Sequence, residues 1–187
     1  MRDSSKSREK FTMSIIITIG AAWGFLEATL GYLLHLASRI VFIPSLAGFV
    51  MFPIGLFLMI TAFRMTGNHY APLFVALVAA SVKLSSLLLP GVGWFFVSNP
   101  VISIMAEGLV VFTGIHLFTT HKNWTIFPKA FVLGLVWRSL FLLAVFLLPV
   151  QKGIFMKGTA ALLSFIFLDS IVNAGIIGGA VSAGIKL

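Results

Sequence analysis

Five ionisable side chains lie in the middle of long apolar stretches of this sequence: Glu27, Lys83, Glu107, Arg138 and Asp169. Side chains of these types can hold a polar solute, relay protons or neutralise one another as buried ion pairs. A charge at the centre of a lipid bilayer costs about 2.5–3.5 kcal/mol on insertion scales. If the apolar stretches cross a membrane, these side chains must therefore face the interior of a helix bundle or a water-filled cavity.

Neutral polar side chains accompany two of the acids at helical spacing. Asn99, Ser103 and Glu107 follow one another at intervals of four residues, and Asp169 and Asn173 do the same. Residues four apart lie on one face of an α-helix. Amides and hydroxyls supply uncharged hydrogen bonds, so these two stripes are candidate parts of a substrate-binding site.

The elements that must position these residues are membrane-spanning helices. The chain has 187 residues, of which 59% are hydrophobic and 10% charged, whereas a soluble domain carries about 25% charged residues. A helix needs about 20 apolar residues to span a bilayer. The sequence predicts an all-α integral membrane bundle in which a basic N-terminal tail (1–12) precedes a single six-helix domain (13–187). The predicted spans, numbered 1 to 6, cover residues 13–36, 41–63, 70–90, 97–118, 126–149 and 159–185.

The positions of the basic residues predict the orientation of the bundle. Lys and Arg accumulate in the cytoplasmic segments of membrane proteins. With the N-terminus in the cytoplasm, eight basic residues fall on the cytoplasmic side and three on the outer side. We therefore expect both termini in the cytoplasm. At about 1.5 Å of rise per residue, the five intramembrane charges then lie in one slab, central to slightly outer.

Two interpretations of this slab remain open. In the first, the charges form structural ion pairs, such as Glu107 with Arg138. In the second, they surround a polar cavity that binds a small solute, which the convergence of five charges at one depth favours. A metal site would need the three acids to meet away from basic groups, and Lys83 and Arg138 make that arrangement unfavourable.

The sequence carries no motif of a known catalytic class. It contains no cysteine, which excludes thiol nucleophiles and cysteine-ligated metals. It also lacks the phosphate-binding P-loop, the H-E-x-x-H and the G-x-S-x-G motifs. We therefore predict no catalysis, no metal and no organic cofactor. The net charge of +8 does not indicate a nucleic-acid partner, since the basic residues sit mostly at the ends of apolar stretches.

Rows of small residues predict close helix contacts. Gly20, Gly24 and Ala28 form one row in span 1, and Gly175 and Gly179 belong to another in span 6. Such rows let two helix backbones approach closely. The neighbouring helix belongs either to this chain or to another protein, and we take both rows as candidate partner-docking surfaces.

Two further residues stand out. Pro53 lies in the middle of span 2 and is expected to kink it; because span 2 is otherwise almost purely apolar, we expect it to face lipid or to form an apolar wall. Trp94 falls in a predicted outer loop, where it either covers a pocket or is an interfacial aromatic residue. We include Trp94 among the candidate substrate-binding residues.

The overall pattern resembles the substrate-binding S components of energy-coupling factor (ECF) transporters, which are strongly basic, six-span chains of under two hundred residues with both ends in the cytoplasm. An S component binds a vitamin or related micronutrient from outside, and a transmembrane scaffold with two ABC-type ATPases drives uptake. The resemblance implies a substrate site in the outer half of the bundle, at the depth of the predicted slab. It also implies a docking motif of the form A-x-x-x-A in span 1, whose nearest match here is Gly20-x-x-x-Gly24-x-x-x-Ala28.

The polar residues therefore predict a protein that binds a small polar or zwitterionic solute, and the resemblance implies that it is the binding subunit of a transporter in the inner membrane of a prokaryote. Lys83 and Arg138 would hold a carboxylate or phosphate, or neutralise the acids. Glu27, Glu107 and Asp169 would accept hydrogen bonds from an amine or a ring N–H. Three other functions stay open: a stand-alone ion- or proton-coupled carrier, a small intramembrane enzyme with a lipid-like substrate, and a non-catalytic assembly subunit.

Overall fold

The computed structural model describes residues 2–41, 46–120, 125–150 and 152–184. Within these ranges the chain is helical apart from short connections, and it forms no strand. Six helical segments are long and apolar enough to cross a membrane, and they coincide with predicted spans 1 to 6. The prediction of an all-α architecture with six such helices is confirmed. The segments are Lys6–Ala37, Leu46–Thr66, Ala71–Leu88, Phe96–Ile115, Ile126–Leu147 and Thr159–Ser182.

Spans 1 and 6 are each interrupted by a wide π turn, whereas each of the other four is built on one α-helix. Span 1 consists of α1 (Arg2–Leu26), a π turn (Glu27–Gly31) and α2 (Tyr32–Val41). Spans 2 to 5 are α3 (Leu46–Thr66), α4 (Ala71–Ser85) with a 3-10 turn (Ser86–Leu88), α5 (Trp94–Thr120) and α6 (Ile126–Leu147). Span 6 follows a 3-10 turn (Phe155–Lys157) and consists of α7 (Thr159–Leu163), a π turn (Ser164–Leu168) and α8 (Asp169–Ser182).

The basic N-terminal segment that precedes the predicted first span is helical. Helix α1 begins at Arg2 and runs without a break into the apolar part of span 1. The side chains of residues 6–11 are exposed, so the first turns of α1 extend beyond the packed bundle. The segment holds several Lys, Arg and Glu residues and no Gly or Pro that would end the helix.

The six spans pack in an order that differs from their order in the chain. Contacting pairs link the spans in the cycle 1–3–4–5–6–2 and back to 1. Span 2 also contacts spans 3 and 4, so it touches four neighbours and lies nearest the centre of the bundle. The charged side chains of spans 1, 3, 4 and 6 therefore lie on helices that pack against span 2, and Phe52 of span 2 stacks on Trp137 of span 5.

The expectation that span 2 faces lipid is wrong. Phe52, Leu56 and Met59 of α3 are completely buried, and so is most of the middle of the helix. A helix that is apolar on every side fits the core of a bundle as well as it fits lipid, so its composition does not distinguish the two. The helix continues through Pro53, which is buried and leaves one backbone carbonyl of the preceding turn without its usual donor.

The small residues of span 1 form an internal contact. A β-carbon built on Gly24 would lie 2.7 Å from the backbone oxygen of Ala79, and one on Gly20 would lie 2.8 Å from that of Val75. Both glycines are buried, so helix α4 of the same chain covers the row that was expected to dock a partner. The prediction of a docking surface at Gly20 and Gly24 is therefore wrong, and the adjoining Ala28 is half-buried.

Span 6 carries two rows of small residues, Ala174 with Gly178 and Gly175 with Gly179, and their environments differ. Ala174 is completely buried, and a β-carbon on Gly178 would lie 3.8 Å from the side chain of Ile126, so this row packs against span 5. Gly175 and Gly179 are exposed, and a β-carbon built on either of them would have no atom of the described residues within 4 Å. A partner-docking role for Gly175 and Gly179 stays a prediction.

Candidate functional site

The five intramembrane charges all lie inside the bundle. The side chain of Arg138 is completely buried, that of Glu107 is 2% exposed, and those of Glu27, Lys83 and Asp169 are 6–8% exposed. The prediction that these residues face the interior is confirmed. Their burial also means that each charge must be compensated by protein groups or by a bound species, because lipid provides no compensation.

The two π turns occur beside two of the acids. Glu27 is the first residue of the π turn in span 1, and Asp169 directly follows the π turn in span 6. A π turn widens the helix by one residue and changes the direction in which neighbouring side chains point, and such turns often occur at functional sites. Sequence analysis missed both turns, because the residues that form them, EATLG and SFIFL, are also compatible with a continuous α-helix.

Lys83 and Glu27 connect spans 3 and 1. The Nζ of Lys83 donates a hydrogen bond of 3.0 Å to the backbone oxygen of Glu27. The opposite charges of the two side chains also attract each other. One turn earlier in span 1, the tight contact at Gly24 holds the two helices together. The pair thus lies in a closely packed helix interface.

Glu107 lies against the central helix. Its Oε1 accepts a hydrogen bond of 3.1 Å from Ser103, one turn earlier in α5. A β-carbon built on Gly55 would lie 2.9 Å from Oε2 of Glu107 and 2.6 Å from the indole ring of Trp23. Gly55 therefore provides the space in which the carboxylate of Glu107 and the ring of Trp23 meet span 2. Sequence analysis missed Gly55, because glycines are common in membrane helices.

Arg138 is surrounded by aromatic rings. Its guanidinium carbon lies 4.5 Å from the ring centre of Trp137, 5.5 Å from that of Phe165 and 5.8 Å from that of Phe52. Its Nη1 donates to the backbone oxygen of Gly134 at 3.4 Å and to the hydroxyl of Ser170 at 3.3 Å. The rings interact favourably with the cation but accept no strong hydrogen bond from it.

The charges form a continuous series around span 2. Arg138 interacts electrostatically with Asp169 and with Glu107, and Glu107 interacts with Glu27. Phe52 of span 2 stacks on Trp137 at 4.8 Å between ring centres. Side chains and backbone of span 2 thus occupy space between the charged residues, whereas the sequence led us to expect a shared polar cavity there.

The neutral candidates occupy different positions relative to this series. Ser103 belongs to it through Glu107, and its backbone oxygen accepts a hydrogen bond of 3.3 Å from the indole nitrogen of Trp137. The amide nitrogen of Asn173 donates to the backbone oxygen of Gly48 in span 2 at 3.3 Å. Asn99 is half-buried in α5, two turns before Glu107.

Trp94 does not join the charged residues. It is the first residue of α5 and is 49% exposed. It precedes Glu107 by thirteen residues of continuous helix, which corresponds to about 20 Å along the axis. An interfacial role fits this position, and contact with a solute held beside Glu107 does not.

Several buried polar atoms have no hydrogen-bond partner in the described part of the protein. They include Nε and Nη2 of Arg138, Oε2 of Glu107, Oδ1 of Asn173 and Oγ of Ser98. Buried polar groups in native proteins are nearly always paired, and an unpaired one is costly. Arg138 and Glu107 therefore retain donors and an acceptor that can bind a small polar molecule or water.

Among the described residues, no group of three or more His, Cys, Asp or Glu is arranged to hold a metal ion. Sequence analysis also missed Ser170, which follows Asp169 directly and contacts Arg138. The position of this hydroxyl next to an intramembrane acid was the sequence signal that could have identified Ser170.

No protein-family model, no curated protein and no solved structure matches this chain.

Proposed function

We propose that this chain binds a small polar or zwitterionic solute inside the membrane, as the substrate-binding S component of an ECF-type uptake transporter. One observation carries the proposal: Arg138 is completely buried, yet two of its three guanidinium nitrogens have no hydrogen-bond partner among the described residues. A buried guanidinium is stable only when its donors are compensated. A solute with an anionic or carbonyl group would supply the missing acceptors.

The two groups with unused hydrogen-bonding capacity suit opposite ends of a zwitterion. The Nε and Nη2 atoms of a guanidinium form a planar edge that binds a carboxylate or phosphate through two parallel hydrogen bonds. The unpartnered oxygen of Glu107 accepts a hydrogen bond from an amine or ring N–H. Trp137 and Phe165, which border Arg138, provide apolar surface for the body of the solute.

Lys83 and Glu27 have a different role in this proposal. The ammonium group of Lys83 already donates a hydrogen bond to the backbone oxygen of Glu27, so this pair holds spans 1 and 3 together. The carboxylate of Glu27 also repels that of Glu107. Asp169 balances the charge of Arg138, and Asn173 offers a second acceptor atom.

The proposed orientation places both termini in the cytoplasm of a prokaryotic cell. The excess of Lys and Arg on that side, eight against three, supports it. The solute would then enter from the outer side. The scaffold and ATPase subunits would contact this chain from the side or from the cytoplasm, and the exposed face at Gly175 and Gly179 is the row of small residues that stays open to them.

A stand-alone proton-coupled carrier is the second candidate. It is favoured by the third buried acid, because Glu27, Glu107 and Asp169 outnumber Lys83 and Arg138 among the charges of the slab. A carboxyl that gains and loses a proton is the usual device of proton-driven carriers.

Native mass spectrometry of the gently purified protein tests the proposal. We expect a retained small molecule on the wild type and on Arg64→Gln, which alters an exposed arginine, and its loss from Arg138→Lys, which keeps the charge but lacks the planar edge. A wild-type protein that retains nothing and binds no member of a micronutrient panel contradicts the proposal. Proteoliposomes containing the chain alone separate the two candidates, since uptake driven by a pH gradient indicates the carrier and binding without accumulation indicates the S component.

A further inference from the structure

The charges buried around span 2 do not balance. Three acids, Glu27, Glu107 and Asp169, face two bases, Lys83 and Arg138, and all five side chains are at least nine-tenths buried. In water a spare negative charge is inexpensive, but inside a bundle surrounded by lipid it must be neutralised. One positive charge is therefore missing from this part of the molecule.

Lys129 is the other buried cation among the described residues, and it lies away from the slab. It precedes Arg138 by nine residues in α6, which corresponds to about 13 Å along the helix. It sits near the end of span 5, within the first turn of α6. Its charge therefore belongs to the end of the bundle and not to the neighbourhood of span 2.

The groups around the acids show where the spare charge falls. Glu27 has Lys83 beside it, whose ammonium reaches the backbone of the same residue. Asp169 and Glu107 both attract Arg138, and Ser170, next to Asp169, accepts a hydrogen bond from its guanidinium. Glu107 shares the positive charge of Arg138 with Asp169 and is also repelled by Glu27. It is also the most buried of the three acids.

The surroundings of the Glu107 carboxyl add a second, independent observation. Ser103 supplies one hydrogen bond, to Oε1. Oε2 has no donor among the described residues and lies against Gly55 of span 2. An ionised carboxylate usually accepts hydrogen bonds on both oxygens. Ionisation of Glu107 would leave a buried, negatively charged oxygen without a donor, which is more costly than leaving a neutral one unpaired.

We propose that Glu107 is a proton-binding site: in the resting protein it holds one proton at neutral pH and is a neutral carboxylic acid beside span 2. A cationic group that enters next to Glu107 would replace this proton, which links occupation of the site to release of one proton. This inference does not depend on the identity of the solute or on the ECF resemblance.

Infrared difference spectroscopy of the full chain in lipid vesicles at neutral pH tests the proposal. The spectrum of the wild type minus that of Glu107→Gln should contain the C=O stretching band of one neutral carboxylic acid. The same subtraction with Glu9→Gln, an exposed acid of α1, should contain the bands of an ionised carboxylate instead. If the Glu107→Gln difference also consists of carboxylate bands, Glu107 is ionised and the proposal is overturned.

A second variant keeps the test decisive if Glu107→Gln does not fold. Glu27→Gln removes one acid and leaves two acids with two bases, so Glu107 should ionise in response. The wild type minus Glu27→Gln should then show loss of one carboxylic acid band, because the proposal assigns the proton to Glu107 and leaves Glu27 ionised beside Lys83. A difference spectrum that shows only the loss of a carboxylate overturns the charge count on which the proposal rests.

Discussion

The two charged junctions of this bundle are built differently. Between spans 1 and 3, Lys83 donates a hydrogen bond to the backbone oxygen of Glu27, whose carboxylate is also its counter-charge. The two helices pack closely at Gly20 and Gly24. Between spans 5 and 6, Arg138 makes two hydrogen bonds of 3.3–3.4 Å, leaves two nitrogens without partners among the described residues, and lies among three aromatic rings.

If the proposed function is correct, this difference separates a structural pair from a group that binds the solute. Burial of a charge by itself does not indicate function, because an engaged pair such as Lys83 with Glu27 holds helices in place. A buried charge whose donors are only partly used retains capacity for another molecule. The contrast between the two junctions can be tested by substitutions on each side.

Loss of Arg138 should have the largest effect on stability. Arg138→Gln removes a positive charge that attracts the buried Asp169, and breaking a comparable buried pair costs about 3–5 kcal/mol of stability. We expect a large drop in the thermal unfolding temperature in detergent, and partial recovery in the double variant Arg138→Gln/Asp169→Asn. Arg64→Gln, on an exposed residue, should unfold like the wild type. No recovery in the double variant would show that the two charges do not compensate each other.

Adding one methyl group should distinguish the packing of the two junctions. At Gly24 the new β-carbon would meet the backbone oxygen of Ala79 at 2.7 Å, so spans 1 and 3 must separate, at a cost of about 1–3 kcal/mol. At Gly134 it would meet side-chain atoms of Arg138 and Ser170 at 3.2 Å, which can shift. Gly24→Ala should therefore lower the unfolding temperature more than Gly134→Ala does.

The exposed row in span 6 provides the control for this pair. A methyl group on Gly179 meets no atom of the described residues within 4 Å, so Gly179→Ala should leave the unfolding temperature unchanged or raise it slightly through helix propensity. If Gly24→Ala and Gly179→Ala lowered the unfolding temperature equally, the assignment of the Gly24 row to the interior and of the Gly179 row to the surface would be contradicted.

The smallest effect concerns the hydrogen bond to Glu107. Ser103→Ala removes the donor to Oε1 and should cost about 0.5–1.5 kcal/mol. Ser98 lies on the same helix and is almost fully buried, but its hydroxyl has no partner among the described residues. Ser98→Ala should therefore leave the stability against unfolding nearly unchanged. If Ser98→Ala lowered the stability more than Ser103→Ala does, the described hydrogen bond from Ser103 to Glu107 would be contradicted.

The six spans and the burial of the five charges could be predicted from the sequence, because both follow from the cost of exposing charge or backbone to lipid. The helix that fills the centre could not be predicted. Span 2 is apolar on all sides, so periodicity carries no information about its position. Its central place depends on Gly55 and on the rings of Trp23 and Trp137, which are long-range contacts.

The same limit applies to the small residues of span 1 and to Trp94. A row such as Gly20 and Gly24 requires a close helix but does not say which one, and the partner is α4 of this chain. Trp94 was included among the candidate substrate-binding residues because it falls in a predicted loop. In the structure, α5 begins at Trp94 and holds it far from Glu107.

Cross-linking of paired cysteines tests the central position of span 2 most directly, because the natural sequence contains no cysteine. The amide of Asn173 reaches the backbone oxygen of Gly48 in span 2, whereas Gly175 is exposed on the outside of the bundle. Gly48→Cys combined with Asn173→Cys should cross-link efficiently in native membranes with a short thiol-specific reagent, and Gly48→Cys combined with Gly175→Cys should not. Efficient cross-linking of the second pair, or none of the first, would contradict the arrangement of the charged spans around span 2.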